Sequence, residues 1–544
     1  MQLELLKNGT WQSAGAVAKE FEKITITPAP DAERIQLKIN IPIIDIQSYW
    51  IPENRIPENR IPWNIETKSS AQRNFPFIAF FNSEQQNRCS VGLSNLKDDT
   101  VIRAKMNQES CNYEITIDIA VNSKTKPFQI IINRRNQPWT KCLNDWRKAL
   151  KMPLPDFPVA AWQPVFCSWY AVHAAVTQPW LEQNAKLAAE LGFGTLIVDD
   201  GWCFDEMKRV APSTIGNWYE MIGDWEMSTQ KFPDFTTHVE RVRALGLNYM
   251  LWVTPILIGA KSKLYQEIKD CVSADYHEGC YRFDPIHEDA GKLIIEKISR
   301  LMKDYPLDGL KIDFLDDVPT NPERPRGQET HNFIAALSKA IRAHKDDALI
   351  EFRQSYATIG MLPFATQFRA GDVPFDFMDN FHRLAQIRVS VGDGVPVHAD
   401  PAYWHPNETP ENISRHLIAS LLGVPMLSMD LAKISKTEKT IISNWLKFYQ
   451  KHLDTFKNGQ WDVKYRNGAV SWVTVFSRNE LIVFMNDTWG FAEALRDFDD
   501  FKGEIIFLNL SAENMRFLAF EGYDCLGNST EKNIPSGGFG YFRH

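Results

Sequence analysis

Lys311 and Asp313 stand two apart in the run 307–315, Leu-Asp-Gly-Leu-Lys-Ile-Asp-Phe-Leu. This apolar, β-branched run, entered from Gly309, reads as a buried parallel strand, and strand residues two apart share a face. Leu310 and Ile312 then fill one side while an ammonium and a carboxylate meet on the other. Charges removed from water need a partner or a ligand, so the pair is either a structural ion bridge or the working end of a site. More groups of this kind follow the same rhythm: Asp199-Asp200-Gly201-Trp202, Gly223-Asp224-Trp225, Lys231-Phe232-Pro233, Glu351 with Arg353, and Arg369-Ala370-Gly371-Asp372. Adjacent carboxylates repel, so Asp199 and Asp200 make sense side by side where they accept hydrogen bonds from a ligand or face a cation. A plain Asp-Asp-Gly turn is the alternative. Carboxylates and a lysine so grouped suit hydroxyl recognition and acid–base or nucleophilic work.

The elements that must position these groups are strands whose carboxyl ends face one way. From about 160 to 455 the chain alternates strand and helix, with strands expected at 165–169, 195–199, 248–253, around Lys311, 349–352, 367–369, 395–398 and 426–429. Helical patterns such as 290–303 and 330–344 separate them. Eight units in this length, with no Gly-x-Gly-x-x-Gly after the first strand, fit an α/β fold of the (β/α)8 barrel type better than a doubly wound sheet. Polar residues then collect at the carboxyl ends of barrel strands, where active sites of that fold sit.

Before it, short period-two runs at 23–27, 35–39 and 113–119 predict an N-terminal β-sandwich, and a helix over 139–152 leads into the Pro-rich hinge 153–158. After it, runs at 470–476 and 481–484 predict a small C-terminal antiparallel β domain of sandwich type. The expected division is 1–157, 158–456 and 457–544. At 544 residues one core is too few.

A net charge of −8 with scattered basic residues argues against nucleic acid as a partner. The 17 tryptophans suit sugar recognition, since pyranose C–H faces lie on indole rings, though Trp also fills sandwich cores. The eight cysteines have no C-x-x-C spacing and read as buried free thiols, with no metal site expected. The start lacks an apolar signal region and no stretch is long enough to cross a bilayer, so the expectation is a cytoplasmic protein without a membrane partner. Export stays open if a leader was removed.

The ordered set Ser168-Trp169, Asp199-Asp200-Gly201-Trp202, Gly223-Asp224-Trp225 with Lys231-Phe232-Pro233, Lys311-x-Asp313 and Arg369-x-Gly-Asp372 resembles the glycoside hydrolases of clan D. These are the α-galactosidases and α-N-acetylgalactosaminidases of families 27 and 36 and, more distantly, the α-glucosidases of family 31. The resemblance implies a retaining exo-glycosidase that releases terminal α-galactose from an oligosaccharide, with no cofactor. By it, Asp313 is the nucleophile, Lys311 keeps that carboxylate ionised while also donating to a sugar hydroxyl, and Asp372 is the acid/base, its apolar neighbours raising its pKa toward neutrality. Asp199 and Asp200 would hold O4 and O6, and Trp169, Trp202 and Trp252 would wall the pocket. Arg353 and Arg369 would be secondary contacts, to the O2/O3 side or to a carboxylate.

The chain departs from that pattern in places. Family 36 has Ser-Asp-Asp-Thr-Asp where residues 370–376 read Ala-Gly-Asp-Val-Pro-Phe-Asp, which leaves Asp376 as a rival acid/base. A Cys-x-x-Gly-Gly segment is replaced by Arg353-Gln354-Ser355-Tyr356, so the O2 contacts stay open, and the N-terminal region has about half the family's length. Asp316 and Asp317 read as solvated turn charges, with subsite residues as the alternative, and the segment 398–405 as the aglycone side with structural histidines. Action on N-acetylgalactosamine or glucose, transglycosylation of the raffinose-synthase type, and a catalytically silent sugar-binding barrel remain as alternatives. Self-association is also open.

Overall fold

The computed structural model describes residues 2–7, 9–210, 215–321, 323–498, 500–516 and 520–542. Eight parallel strands make the central barrel: Val165–Cys167, Thr195–Val198, Asn248–Val253, Gly309–Ile312, Leu349–Arg353, Gln367–Arg369, Val397–His398 and Met426–Leu427. The first seven pair in sequence order, and the eighth lies beside the first. Just ahead of the eighth, Val424 N donates to Val397 O at 2.7 Å and Ala399 N to Val424 O at 3.1 Å, which closes the ring. The expected barrel is therefore present, with strands five, six and seven carrying Glu351 and Arg353, Arg369, and His398 as read from sequence.

The fourth strand shows why its sequence reads as it does. Leu310 and Ile312 are buried, and a Cβ at Gly309 would lie 2.1 Å from Leu349 O, so only glycine lets the fifth strand come this close. The helices Gln178–Leu191, Phe235–Ala244, Glu288–Asp304, Gly327–Arg342, Phe377–Val391, Pro410–Ser420 and Lys436–Lys451 lie between successive strands or after the last. They bury faces such as Ile294, Ile298 and Leu301, or Phe333, Leu337 and Ile341, at helical spacing.

Among the described residues, the N-terminal region is a six-stranded sheet facing a five-stranded one, all pairs antiparallel, around Leu37, Ile39, Ile115, Ile117, Phe80, Val91 and Ile130. The helix Trp139–Leu150 lies on the outer face of the five-stranded sheet. Trp146 Nε1 donates to Leu93 O at 3.2 Å over Gly92, where a Cβ would meet the indole at 2.4 Å. Trp50, Phe75, Phe77, Trp139 and Trp146 belong to the same continuous core as the barrel strands, so the sandwich is docked through aromatic packing. Asp99 of the sandwich adds a polar tie, accepting from Arg326 N at 2.9 Å and Gly327 N at 2.6 Å at the start of the barrel helix Gly327–Arg342.

The C-terminal region is a seven-stranded sheet with a two-stranded ribbon. Its pairs are antiparallel except Glu480–Met485 with Glu504–Asn509, which run parallel because the helix Phe491–Asp497 carries the chain back across. All eight cysteines are free; Cys89, Cys142, Cys167, Cys280 and Cys525 are buried, whereas Cys111 is exposed. Among the described residues no helix is long and apolar enough to cross a membrane.

Candidate active site

The carboxyl ends of the barrel strands surround a narrow cleft. Of the residues singled out from sequence, Trp169, Asp199, Asp200, Trp252, Lys311, Asp313, Arg369 and Asp372 line it. Cys167, Tyr219, Phe314, Asp400 and Pro401 join them.

Asp313 follows the fourth strand directly and is 6 % exposed. Its Oδ1 accepts from Arg353 Nε and from Phe314 N at 2.9 Å, and its Oδ2 accepts from Trp252 Nε1 at 2.9 Å. Lys311 Nζ stands 3.9 Å from the same Oδ2. Burial alone would raise this carboxyl, but Arg353, then Lys311 and Arg369, outweigh it and hold Asp313 well below the usual carboxylate range. Arg353 also lies over the Phe314 ring at 4.9 Å, and Phe314 takes a left-handed conformation at φ 57° that turns its N–H back to Asp313. Both arginines therefore bind carboxylates of the chain, Arg353 at Asp313 and Arg369 at Asp372, Asp400 and Glu351.

Asp199 and Asp200 do not share one environment. Asp199 Oδ2 takes Lys311 Nζ at 2.6 Å, and Ser168 Oγ accepts from Asp199 N at 3.0 Å. Asp200 Oδ2 accepts from Trp218 Nε1 at 2.7 Å, while its Oδ1 is buried with no hydrogen-bond partner. Burial, and then repulsion from Asp199, push Asp200 up to about 7 despite the indole bond. Behind the pair, Gly201 has φ 105° and would place a Cβ 2.3 Å from Ala174 Cα, so the turn demands glycine. Lys231 braces it, donating to Gly201 O at 2.7 Å, Ala174 O at 2.8 Å and Glu206 O at 2.7 Å. The Lys-Phe-Pro motif thus shapes the cleft without lining it. Asp224 is likewise structural, accepting from Lys263 N and Leu264 N at 2.9 Å each.

Three expectations need correction. Trp202 does not wall the cleft: its ring is fully buried in the core, with Nε1 donating to Trp252 O at 2.7 Å, because the Gly201 turn folds it inward. Asp372 is not raised by apolar neighbours. Its side chain is 55 % exposed, and although desolvation in the cleft pushes upward, Arg369, bonded at 2.9 Å, and then Lys311 pull it below its ordinary value. Asp316 and Asp317 are not solvated turn charges: Asp317 pairs with Arg282 at 3.0 Å and Asp316 accepts from Ser355 Oγ at 3.2 Å. Asp376, the rival to Asp372, caps the helix Phe377–Val391 by accepting from Asp379 N at 2.9 Å and lies outside the cleft lining.

Trp218, Tyr219 and Asp400 are the site residues that sequence reasoning missed. The two aromatics come from the irregular stretch after the second strand, which carries no periodicity to place them. Asp400 lay in a segment assigned as a whole to the aglycone side; its position two residues past His398 on a barrel strand was the available signal. Among the described residues no cluster of three or more His, Cys, Asp or Glu could hold a metal ion.

An eight-stranded parallel barrel with paired carboxylates at its strand ends defines the class, that of barrel enzymes with their site at the carboxyl face. The melibiase family profile matches residues 158–459, more than half of the chain, and the chain belongs to the melibiase family. The α-galactosidase AgaA of Geobacillus stearothermophilus is 25% identical over 309 residues, covering 52% of this chain and 40% of its own length. Alpha-galactosidase 1 of Pediococcus pentosaceus is 23% identical over 310 residues, with the same coverage. The match therefore spans less than half the length of these curated relatives. Among solved structures, AgaA of family 36 in complex with stachyose superposes with a TM-score of 0.66 at 18% identity, over 85% of this chain and 70% of that one. The galactosidase domain of the α-galactosidase–sucrose kinase AgaSK gives 0.68 at 12% identity, over 99% and 80%. These likenesses are of fold.

Proposed function

We propose that the protein is an exo-acting α-galactosidase that releases terminal galactose from oligosaccharides with retention of configuration. The observation that carries this reading is Asp313: a buried carboxylate kept ionised by Arg353, Lys311 and Trp252, in one cleft with a second, half-exposed carboxyl, Asp372. An ionised carboxylate with its lone pairs oriented by fixed donors suits attack on C1, and an exposed partner suits proton exchange with the leaving oxygen and with water. In the first step Asp313 bonds to C1 as the glycosidic bond breaks and Asp372 gives its proton to the departing oxygen. In the second, Asp372 takes a proton from water, whose oxygen displaces Asp313 from C1.

The charges on the two acids are linked in a way that serves the second step. Asp313 raises Asp372 electrostatically. Once Asp313 is esterified its charge is gone, so Asp372 becomes the stronger acid and stays ionised, as a base requires. Asp199 with Lys311 offers an acceptor beside a donor for sugar hydroxyls, and the orphaned Oδ1 of Asp200 offers a further acceptor. Trp169 and Trp252 present ring faces or edges along the cleft. Relatives described as α-galactosidases, among them AgaA, variants of which were solved with stachyose and with raffinose, support galactose as the sugar.

The test is release of p-nitrophenol from p-nitrophenyl α-galactoside, α-glucoside and α-N-acetylgalactosaminide by the wild type and by Asp313→Ala. Preferred turnover of the galactoside, lost in the variant, is expected. Equal rates in wild type and variant, or no release from any of the three, would overturn the reading.

A further inference from the structure

We propose that Asp400, on the loop after the seventh barrel strand, is the positioning residue for Asp372, gripping the acid's loop on both sides and dividing the charge of Arg369. The proposal rests on the reading of Asp372 as acid/base. Asp372 sits on an irregular loop with its side chain largely in the open, so nothing in its own element fixes it. Asp400 does so from outside. One oxygen, Oδ1, accepts from Arg369 Nη1, the same nitrogen that donates to Asp372 Oδ1 at 2.9 Å. The other, Oδ2, accepts from the backbone N–H of Val373, the residue following Asp372, at 2.7 Å. The loop is therefore held three residues before the acid and one residue after it by a single carboxylate.

Asp400 is itself fixed. Tyr170 Oη donates to its Oδ2 at 2.8 Å, and the Asn380 amide bridges its backbone, donating to Asp400 O at 3.1 Å and accepting from Asp400 N at 3.2 Å. It is buried with both oxygens engaged, by Arg369 on one side and by Val373 and Tyr170 on the other, so it acts through these partners. A buried carboxylate is costly to keep unless its charge is used.

The electrostatic consequence follows from what faces each group. Asp372 faces Arg369, Lys311, Asp313 and Arg353. Arg369 faces Asp372, Asp400, Glu351 and Asp313, and Glu351 is also shared with His398 at 3.4 Å. Asp400 faces Arg369, Asp372 and Tyr170, and burial, followed by repulsion from Asp372, leaves it at about 7 in spite of Arg369. Two carboxyls sharing one guanidinium nitrogen titrate as a pair. With Asp400 uncharged, Arg369 is shared only between Asp372 and Glu351 and the repulsion ends, so Asp372 gives up its proton more readily.

The test is the pH profile of kcat/KM on p-nitrophenyl α-galactoside, whose basic limb reports the free enzyme's acid. Asp400→Asn keeps an oxygen for Val373 and Tyr170 but loses the charge. It is expected to move the basic limb down by about half a pH unit or more, with KM at the optimum changed by less than about threefold. Tyr170→Phe removes a donor that favours ionised Asp400, and is expected to move the limb the same way by less. A profile superimposable on the wild type, or a fall by one factor at every pH, overturns the proposal. If Asp400→Asn does not fold, Tyr170→Phe decides on the same terms. Asp372→Asn is measured alongside: wild-type rates there would sink the acid/base reading itself. An inactive Asp372→Asn beside an unmoved Asp400→Asn profile would sink only the role given to Asp400.

Discussion

Lys311 Nζ lies 2.6 Å from Asp199 Oδ2 and 3.9 Å from Asp313 Oδ2, so the lysine of the fourth strand is bonded first to the second strand and only then to its own neighbour. Desolvation would lower its pKa, yet Asp199 and Asp313 outweigh that and keep it an ammonium. It ties Asp199 to Asp313, which in the proposed mechanism are the hydroxyl-binding and the attacking sides of the cleft. Lys311→Met leaves Asp199 a buried unpaired carboxylate, and kcat/KM is expected to fall by about a hundredfold or more. Most of that loss should appear in KM for p-nitrophenyl α-galactoside, because Asp313 retains Arg353 and Trp252. A variant with unchanged KM would contradict this division.

Arg353 has the complementary assignment. Asp313 must be ionised to attack, and Arg353 is the foremost charge that opposes its desolvation. In Arg353→Met the Asp313 pKa rises, so activity is lost at a higher pH on acidification. The acid limb of kcat/KM should move up by about one unit or more, and the basic limb, on which Arg353 acts more weakly, in the same direction by less. An acid limb that does not move would show that the guanidinium serves another purpose.

Trp252 touches Asp313 through one N–H and lines the cleft with its ring. Trp252→Phe keeps an aromatic wall and removes the bond to a charged oxygen, which is expected to lower kcat by about 10- to 100-fold. Steady-state kinetics separate this from a packing effect, since KM should change far less than kcat.

Asp200 is held in a form that favours the ligand over the fold. Its folded pKa of about 7 lies above the ordinary unfolded value, so the unfolded chain sheds this proton first and stability declines as pH rises from about 4 to about 7. Asp200→Asn has no charge to bury, and its carbonyl can still accept from Trp218. Melting curves at pH 5 and pH 8 should show the variant gaining over wild type at the higher pH, while KM rises at least about tenfold. A variant that is less stable at pH 8 would mean that Asp200 is structural.

Much of this arrangement was legible in the chain. Parallel strands buried on both sides announce themselves as short apolar runs, and Lys311 with Asp313 stood out because two charges on such a strand oppose its burial. What could not be read was the direction of side chains beyond strand ends. Trp202 looked like a wall because it follows two carboxylates, but the left-handed Gly201 turn that reverses it is a backbone property. Asp372 was judged by its sequence neighbours, whereas its proton affinity depends on Arg369 and on Lys311 from another strand. Local apolarity is a poor guide to a carboxyl whose partners arrive through the barrel's closure.

The central claim is that Asp313 becomes covalently bound to the sugar. The direct measurement is incubation with 5-fluoro-α-galactosyl fluoride, whose good leaving group forms the ester while its ring fluorine slows hydrolysis, followed by peptide mass spectrometry. The account predicts a single fluorogalactosyl adduct on Asp313 and time-dependent loss of activity. An adduct on Asp372 or Asp199, or none while the fluoride is turned over, would contradict it.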